Sequence, residues 1–542
     1  MSANQLALEQ QSTAASDLDL EADVLVIGGG PAGCWAAHNA AVQGVRVVLV
    51  DKGYCGSSGA TASGGTTVWY IPNAEQRETA FVGRQALGGF LSERSWMERV
   101  LDRTHTNLYE LANWGYPFPS DEQGKPYYSS LQQGAEYMRL MRKQVKKVGV
   151  QILDHCPALE LLVDTEGAVA GAAGVRRQVG DRWQVRAKAV VIATGGCAFL
   201  SKALGCNVLT GDGYLMAAEV GATLSGMEFS NVYGLTPAWA SVTKGAYYRW
   251  ATFTYEDGTE IECGNFHERA AIIAKALLNQ PVYCSLDQTP EQARVWMRTI
   301  QHNFFLPFDR IGIDPFTQRF PITLRLEGTV RGTGGIQIVD DSCATSVPGL
   351  YAVGDAATRE LVAGGHSGGG SINAAWAMSS GYWAGEAAGK YAKALGNRAT
   401  QRQVRGIGGA GIRSQSSQTI APQEIIRAVQ AEVLPYDRNL FRTEEGLNDS
   451  LERLHSLWRE IRSAVAANDQ ALLSAREAAA MVATARWMYS TALVRRESRG
   501  MHKRQDYPEQ DPKQQYRLLS GGLDHVWVKP DQQFASKELV RL

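Results

Sequence analysis

Six residues constrain the fold of this chain more than any others: Gly28-Gly29-Gly30-Pro31-Ala32-Gly33. They lie between an apolar run, Asp23–Ile27, and a helix of small residues, Cys34–Gln43, which leads into a second apolar run at Val45–Val50. Strand, glycine turn, helix and strand in that order form a βαβ unit. Gly28 allows the tight turn, Gly30 lets a pyrophosphate approach the backbone, and Gly33 lets the helix pack closely with its N-terminus toward the phosphates. Asp51 ends the second strand, where a carboxylate accepts hydrogen bonds from an adenosine ribose. Pro31, Ala32 and Lys52 flank these contacts and are read into the same site.

The turn alone suits NAD as well as FAD. What favours FAD is the run Gly56-Ser57-Ser58-Gly59-Ala60-Thr61-Ala62-Ser63-Gly64-Gly65 soon after Asp51, in which Ser57, Ser58, Gly59, Thr61, Gly64 and Gly65 can line a flavin ring with backbone donors and hydroxyls. A nicotinamide site would not demand it. Thr194 and Gly195, at the end of an apolar strand Ala187–Ala193, and Asp355, in the turn after Gly349–Val353, bring two further strand ends to the cofactor. No second G-x-G-x-x-G between an apolar strand and a helix, as an NAD(P)H domain would carry, is read further along the chain.

At 542 residues the chain exceeds one ordinary core, so several structural units are expected. The formal net charge of -1 argues against general attraction to nucleic acid or an anionic membrane surface. The eight cysteines show no Cys-x-x-Cys pair and no Cys/His ligand spacing, so no metal site is read, and scattered thiols with a polar N-terminus fit a cytoplasmic protein. No apolar stretch is long enough to span a membrane.

The fold class read from this pattern is α/β: a Rossmann-type FAD-binding domain with an inserted α+β capping domain and a C-terminal helical domain. The expected boundaries are a disordered tail at 1–21, the discontinuous FAD-binding domain at 22–225 and 330–398, the cap at 226–329, the helical domain at 419–500, and an extended C-terminal tail at 501–542. The cap holds the aromatic cluster Tyr233, Trp239, Tyr247, Tyr248 and Trp250, readable either as core or as a stack for a ring-containing substrate.

With these residues quoted, the chain resembles the fumarate reductase and succinate dehydrogenase flavoprotein family, which includes L-aspartate oxidase and the adenylylsulfate reductase alpha subunit. Further carriers of the resemblance are Thr210-Gly211-Asp212-Gly213, Met227-Glu228-Phe229, Gly334-Gly335-Ile336, the stretch Val347 to Asp355, Gly369-Gly370-Ser371-Ile372, Arg496 to His502, and Asp506-Tyr507-Pro508. The resemblance implies that Asp212, Asp355 and the backbone of Ser371 and Ile372 touch FAD, and that Ala158 contacts its adenine end.

It also exposes departures. The position of the flavin-linking histidine reads Ser58, which implies non-covalent FAD. The His-Pro-Thr-Gly stretch becomes Tyr233-Gly234-Leu235-Thr236, the substrate histidine before Gly-Gly-Ile becomes Val330, and the Asn-Arg-Leu-Gly arginine aligns approximately with His366. Most of a clamp for two carboxylates is therefore gone. Arg269 by position resembles the cap arginine that shuttles a proton in the dicarboxylate enzymes, the alternative being an ordinary surface cation, and His366 could equally be a hydrogen-bonded loop residue.

The expected function is an FAD-dependent dehydrogenase or reductase, moving hydride between flavin N5 and a small organic substrate other than fumarate or succinate. Arg269, His366 and Tyr233 are its candidate catalytic residues, with electrons exchanged with a partner protein such as a ferredoxin-like iron-sulfur subunit. Two alternatives stand beside it: an adenylylsulfate-reductase-like flavin subunit that works on a sulfur or other heteroatom substrate, and a catalytically inactive flavoprotein scaffold. Homo-oligomerisation is left open.

Overall fold

The structure, a computed structural model, describes residues 18–131, 134–243, 245–265, 267–396, 402–413, 419, 421–464, 466 and 469–532. Strand β1 (Leu18–Ile27) passes through the glycine turn into α1 (Pro31–Ala41) and returns as β2 (Val47–Val50), parallel to β1 with Val24 opposite Val47 and Ile27 opposite Val50. All of β2 and the last four residues of β1 are buried, as expected of parallel strands covered on both faces.

The sheet has eight strands. β3 (Gln151–Leu153) extends it beyond β2 in parallel. On the other side of β1 lie the antiparallel strands β4 (Ala158–Val163) and β5 (Val169–Val175), followed by β6 (Arg182–Ile192), which is parallel to β1. The first half of β6 pairs with β5, and its last residues pair with the parallel strand Leu350–Ala352, so the chain crosses back into this sheet after the cap. Arg405–Gly406 adds a short edge strand on β4.

The start of β1 corrects the expected tail. Residues 18–21 are paired with Trp183–Arg186, and of the expected tail residues 1–17 lie outside the described part. The acidic residues at the start of β1, before its pairing with β2 begins, are held by ion pairs: Arg186 reaches Asp19 at 3.6 Å and Glu21 at 3.1 Å, and Lys188 meets Asp23 at 2.9 Å.

Within 226–329 the chain builds a four-stranded antiparallel sheet from β7 (Val232–Pro237), β8 (Thr252–Tyr255), β9 (Val282–Ser285) and β10 (Phe320–Glu327), in the order β7-β10-β9-β8. Three helices accompany it: α2 (Arg269–Leu277), Glu291–Ile300 and His302–Ile311. The aromatic cluster is mostly the core of this unit. Tyr247 and Tyr248 are buried against Phe304, Tyr248 also lies beside Phe253, and Trp239 packs edge-on to Phe308 and Phe320.

Back in the first domain, the long helix α3 (Gly369–Leu395) packs along α1. The C-terminal helices α4 (Pro422–Val433), α5 (Glu444–Ser463) and α6 (Asp469–Val494) follow, with α6 packed on α4 and α5.

The expected extended tail beyond 501 is exposed over much of its length but is anchored in the fold by one buried strand. β11 (Leu518–Gly521) is buried and pairs with Leu224–Ser225 of the first domain and with β12 (Trp527–Pro530). Just before β11, Arg517 is buried and donates to the Leu91 carbonyl. Residues 533–542 lie outside the described part.

Candidate active site

The glycine turn is shaped by what cannot fit there. Gly28 sits at φ 110°, and a Cβ on it would stand 2.3 Å from the Ala193 carbonyl oxygen. A Cβ on Gly33 would stand 1.8 Å from the Gly28 carbonyl, so only glycine lets α1 approach the turn. At Gly30, the N-cap of α1, a Cβ would meet nothing within 4 Å, and no side chain caps the helix. Unsatisfied N–H groups beside open space at a helix N-terminus suit a pyrophosphate.

Asp51 organises the neighbouring loop as well as facing the cleft. One carboxylate oxygen accepts from Gly29 N at 2.6 Å; the other accepts from Gly53 N at 2.8 Å and from Ser58 Oγ at 2.7 Å. Lys52 is already committed: its ammonium reaches Thr210 Oγ1, Asp212 and Glu477, each at 2.7 Å, and these two carboxylates hold it protonated against the opposing effect of burial.

One cleft collects most of the expected cofactor positions. Gly28, Gly30, Pro31, Ala32, Asp51, Lys52, Ser58, Gly59, Thr61, Gly64, Gly65, Ala158, Thr194, Gly195, Asp212 and Asp355 all line it. Gly33, Ser57, Ser371 and Ile372 are not in its wall. Gly33 lies beneath the turn, Ser57 is exposed, the Ser371 carbonyl accepts from Trp69 N, and Ile372 is buried behind Gly370 and Asn373, which take the wall position instead. The cap touches the loop at the flavin end: Gln301 Nε2 donates to the Gly65 carbonyl at 3.0 Å and Asn303 Nδ2 to the Ser63 carbonyl at 3.3 Å.

The three candidate catalytic residues separate. Arg269 is the first residue of α2, and its guanidinium donates to the Tyr248 carbonyl at 2.8 Å and lies over the Phe253 ring. His366 sits in the glycine-rich loop before α3 and meets the cap edge-on through His267, with ring centroids 5.1 Å apart. Burial, reinforced by Arg84, lowers the His366 pKa to about 4, so the ring is neutral at pH 7. The Arg84 guanidinium donates to the carbonyls of Ala363, His366 and Ser367 and so fixes this loop.

None of the three lines the cleft, and Tyr233 corrects the expectation of a catalytic place. Its hydroxyl points to the Val433 and Leu434 carbonyls at 3.0 and 3.1 Å, and its ring packs edge-on to Tyr436. It ties the cap to the helical domain.

Sequence reasoning passed over Arg331. It follows Val330 in Val-Arg-Gly-Thr-Gly-Gly-Ile, and both residues line the cleft. The signal stood in that stretch, one place after the valine that takes the position of the family's histidine. Val330 belongs to an apolar cluster with Ala198, Ala203, Cys206 and Leu209. Nearby Arg359 is fully buried and spent, donating to Asp355 Oδ1 at 2.5 Å and to the Thr329 and Gly332 carbonyls.

A βαβ turn open to pyrophosphate, a ribose-side aspartate and a glycine-serine loop closed over by a cap define an FAD-dependent oxidoreductase. Comparison with known proteins agrees and narrows the class. Residues 23–244 match the family model for the FAD binding domain, and residues 430–533 match that for the fumarate reductase flavoprotein C-terminus. One of the subunits of the fumarate reductase (CoM/CoB) of Methanothermobacter marburgensis is 24% identical over 92% of this chain and 97% of its own length. The L-aspartate oxidase of Streptomyces coelicolor is 26% identical over 91% of this chain and 90% of its own. In fold, the flavoprotein chain of Escherichia coli quinol fumarate reductase superposes with a TM-score of 0.77 at 21% identity, covering 95% of this chain and 97% of that one. The chain belongs to the fumarate reductase and succinate dehydrogenase flavoprotein family. Among the described residues no helix is long and apolar enough to cross a membrane.

Proposed function

We propose that this FAD-dependent oxidoreductase acts on a small organic substrate other than fumarate or succinate and exchanges its electrons with a partner protein. The observation that carries the first part is Val330: the position that resembles a substrate histidine lies in an apolar cluster on the cleft wall, where no second carboxylate is welcome. The fumarate reductase relatives from Methanothermobacter marburgensis and Escherichia coli are by name subunits, and among the described residues only the turn at Gly28–Gly33 carries G-x-G-x-x-G directly between a strand and a helix, which leaves a nicotinamide donor without its own domain.

FAD, when bound, supplies the hydride chemistry of its N5. The protein's own residues do the rest. The α1 N-terminus and Asp51 hold the nucleotide, and the cap excludes water where Gln301 meets Gly65. Arg269 handles the substrate proton, while His366, neutral at pH 7, offers a hydrogen bond from the loop opposite the cap. Ser58 donates to Asp51, and because a serine hydroxyl does not form the histidyl-flavin bond, this position supports FAD held non-covalently.

Purified holoenzyme tests this reading. Acid precipitation should release all flavin into the supernatant. Anaerobic mixing with NADH or NADPH should leave the flavin oxidised, while a reduced ferredoxin-type iron-sulfur protein should bleach it. Succinate oxidation or fumarate reduction at an ordinary enzymatic rate, or rapid bleaching by NADPH alone, would sink the proposal.

A further inference from the structure

The cations around the cleft are not equivalent. Lys52 is neutralised by two carboxylates, Arg359 is saturated by carbonyls and Asp355, and Arg84 spends its donors on the loop of His366. Arg331 differs. It lines the cleft with 28% of its side chain exposed, and among the described residues it makes no hydrogen bond. Its sole ion pair there is a loose one, 3.9 Å to Glu327.

Glu327 cannot swing to improve that contact without losing its own anchor, since it accepts from Thr243 Oγ1 at 2.7 Å. The carboxylate therefore keeps Arg331 charged and aimed but leaves its donors unspent. A guanidinium carries five N–H donors in a planar fork suited to a carboxylate or another oxyanion.

Apart from Asp355, which Arg359 already holds, what stands beside this fork is apolar. Val330 packs with Leu209 and Cys206, and Val208 and Ala60 close the same patch. One charged group next to an apolar wall can hold one anionic group and the hydrocarbon attached to it. A second carboxylate placed against Val330 would be desolvated without a partner, at a cost that disfavours the diacid.

We infer that Arg331 is the anion-binding residue of the substrate site, and that the substrate is a small organic monoanion with one carboxylate or similar oxyanion on an apolar body. This rests on the reading of the cleft as an FAD and substrate site, and it names the substrate class which that reading left open.

The test uses holoenzyme and non-reacting probes. Butanoate, butanamide and butanedioate are titrated separately while perturbation of the flavin absorbance and the thermal midpoint are followed. Butanoate should bind at least tenfold more tightly than butanamide and than butanedioate. Arg331→Gln should abolish the preference for butanoate over butanamide, Arg331→Lys should restore part of it, and both variants should keep a full complement of FAD. Loss of FAD from Arg331→Gln would show that the residue serves the cofactor and would overturn the inference. So would an unchanged butanoate affinity in that variant, no binding of butanoate by the wild type, or tighter binding of butanedioate. A wild-type chain that carries no FAD would instead defeat the underlying reading, and the thermal midpoint still reports whether butanoate binds.

Discussion

Two regions of the site are built by opposite means. At the nucleotide end, the chain between Ile27 and Pro31 offers backbone: glycines that leave room, a helix N-terminus without a cap, and one aspartate that accepts from Gly29. At the seam between cap and flavin domain, side chains from distant parts of the chain meet: Arg84 on the helix 74–87, His267 just before α2, and His366 before α3, while Arg269 at the head of α2 turns to the Tyr248 carbonyl. A backbone site tolerates almost no change in side-chain volume, because the space itself is the binding group. A side-chain site tolerates replacement of its members and thereby changes chemistry on a constant frame.

The largest effect should follow from filling the backbone region. In Gly33→Val the added Cβ would lie 1.8 Å from the Gly28 carbonyl, so α1 must move off the turn. We expect that protein to be isolated without FAD and with a thermal midpoint many degrees lower, which absorbance at the flavin band and calorimetry would show. A full FAD complement in this variant would break the comparison.

At the seam, Arg269→Gln should keep its FAD and lose about a hundredfold in turnover, the scale of a lost general acid. Arg269→Lys should lower kcat more than it raises KM. If both kinetic constants stay within about twofold of wild type, Arg269 is a structural brace for the Tyr248 carbonyl and nothing more.

His366 gives a smaller, pH-dependent effect. Its folded pKa is about 4 against an ordinary 6.5, so the unfolded chain takes up the proton first as pH falls. Its contribution to stability is thus constant above about pH 6.5 and declines between 6.5 and 4, amounting to about 2 kcal/mol lost at pH 5. His366→Asn should flatten that part of the urea-stability profile. Burial first, and then Arg84, His267 and Lys503, keep the ring neutral, and an unchanged profile would mean that its pKa is not lowered in the folded protein.

The smallest change is expected from Tyr233→Phe. Removing the hydroxyl that reaches Val433 and Leu434 should cost about 1 kcal/mol of stability and leave turnover within twofold. A large loss of activity would return Tyr233 to the site.

The sequence determined the first region nearly to the residue. Glycine positions, apolar strands and a strand-end aspartate act through local geometry, and a single chain segment carries all of them. The same locality explains why a cap and a C-terminal helical domain could be expected from pattern alone. The acidic start of β1 and the buried β11 could not be, because each is a strand only through its partners: Arg186 and Lys188 for one, Leu224 and Ser225 for the other. The tertiary structure alone decided which way side chains face. Tyr233 and Arg269 both belong to the cap, yet one hydrogen-bonds across to the helical domain while the other heads α2. Arg331 and Arg359 have the same side chain, and only packing spends the donors of one and leaves those of the other to the cleft. Residue type fixes what a group can bond; whether those bonds are already made depends on neighbours that the chain brings together only by folding.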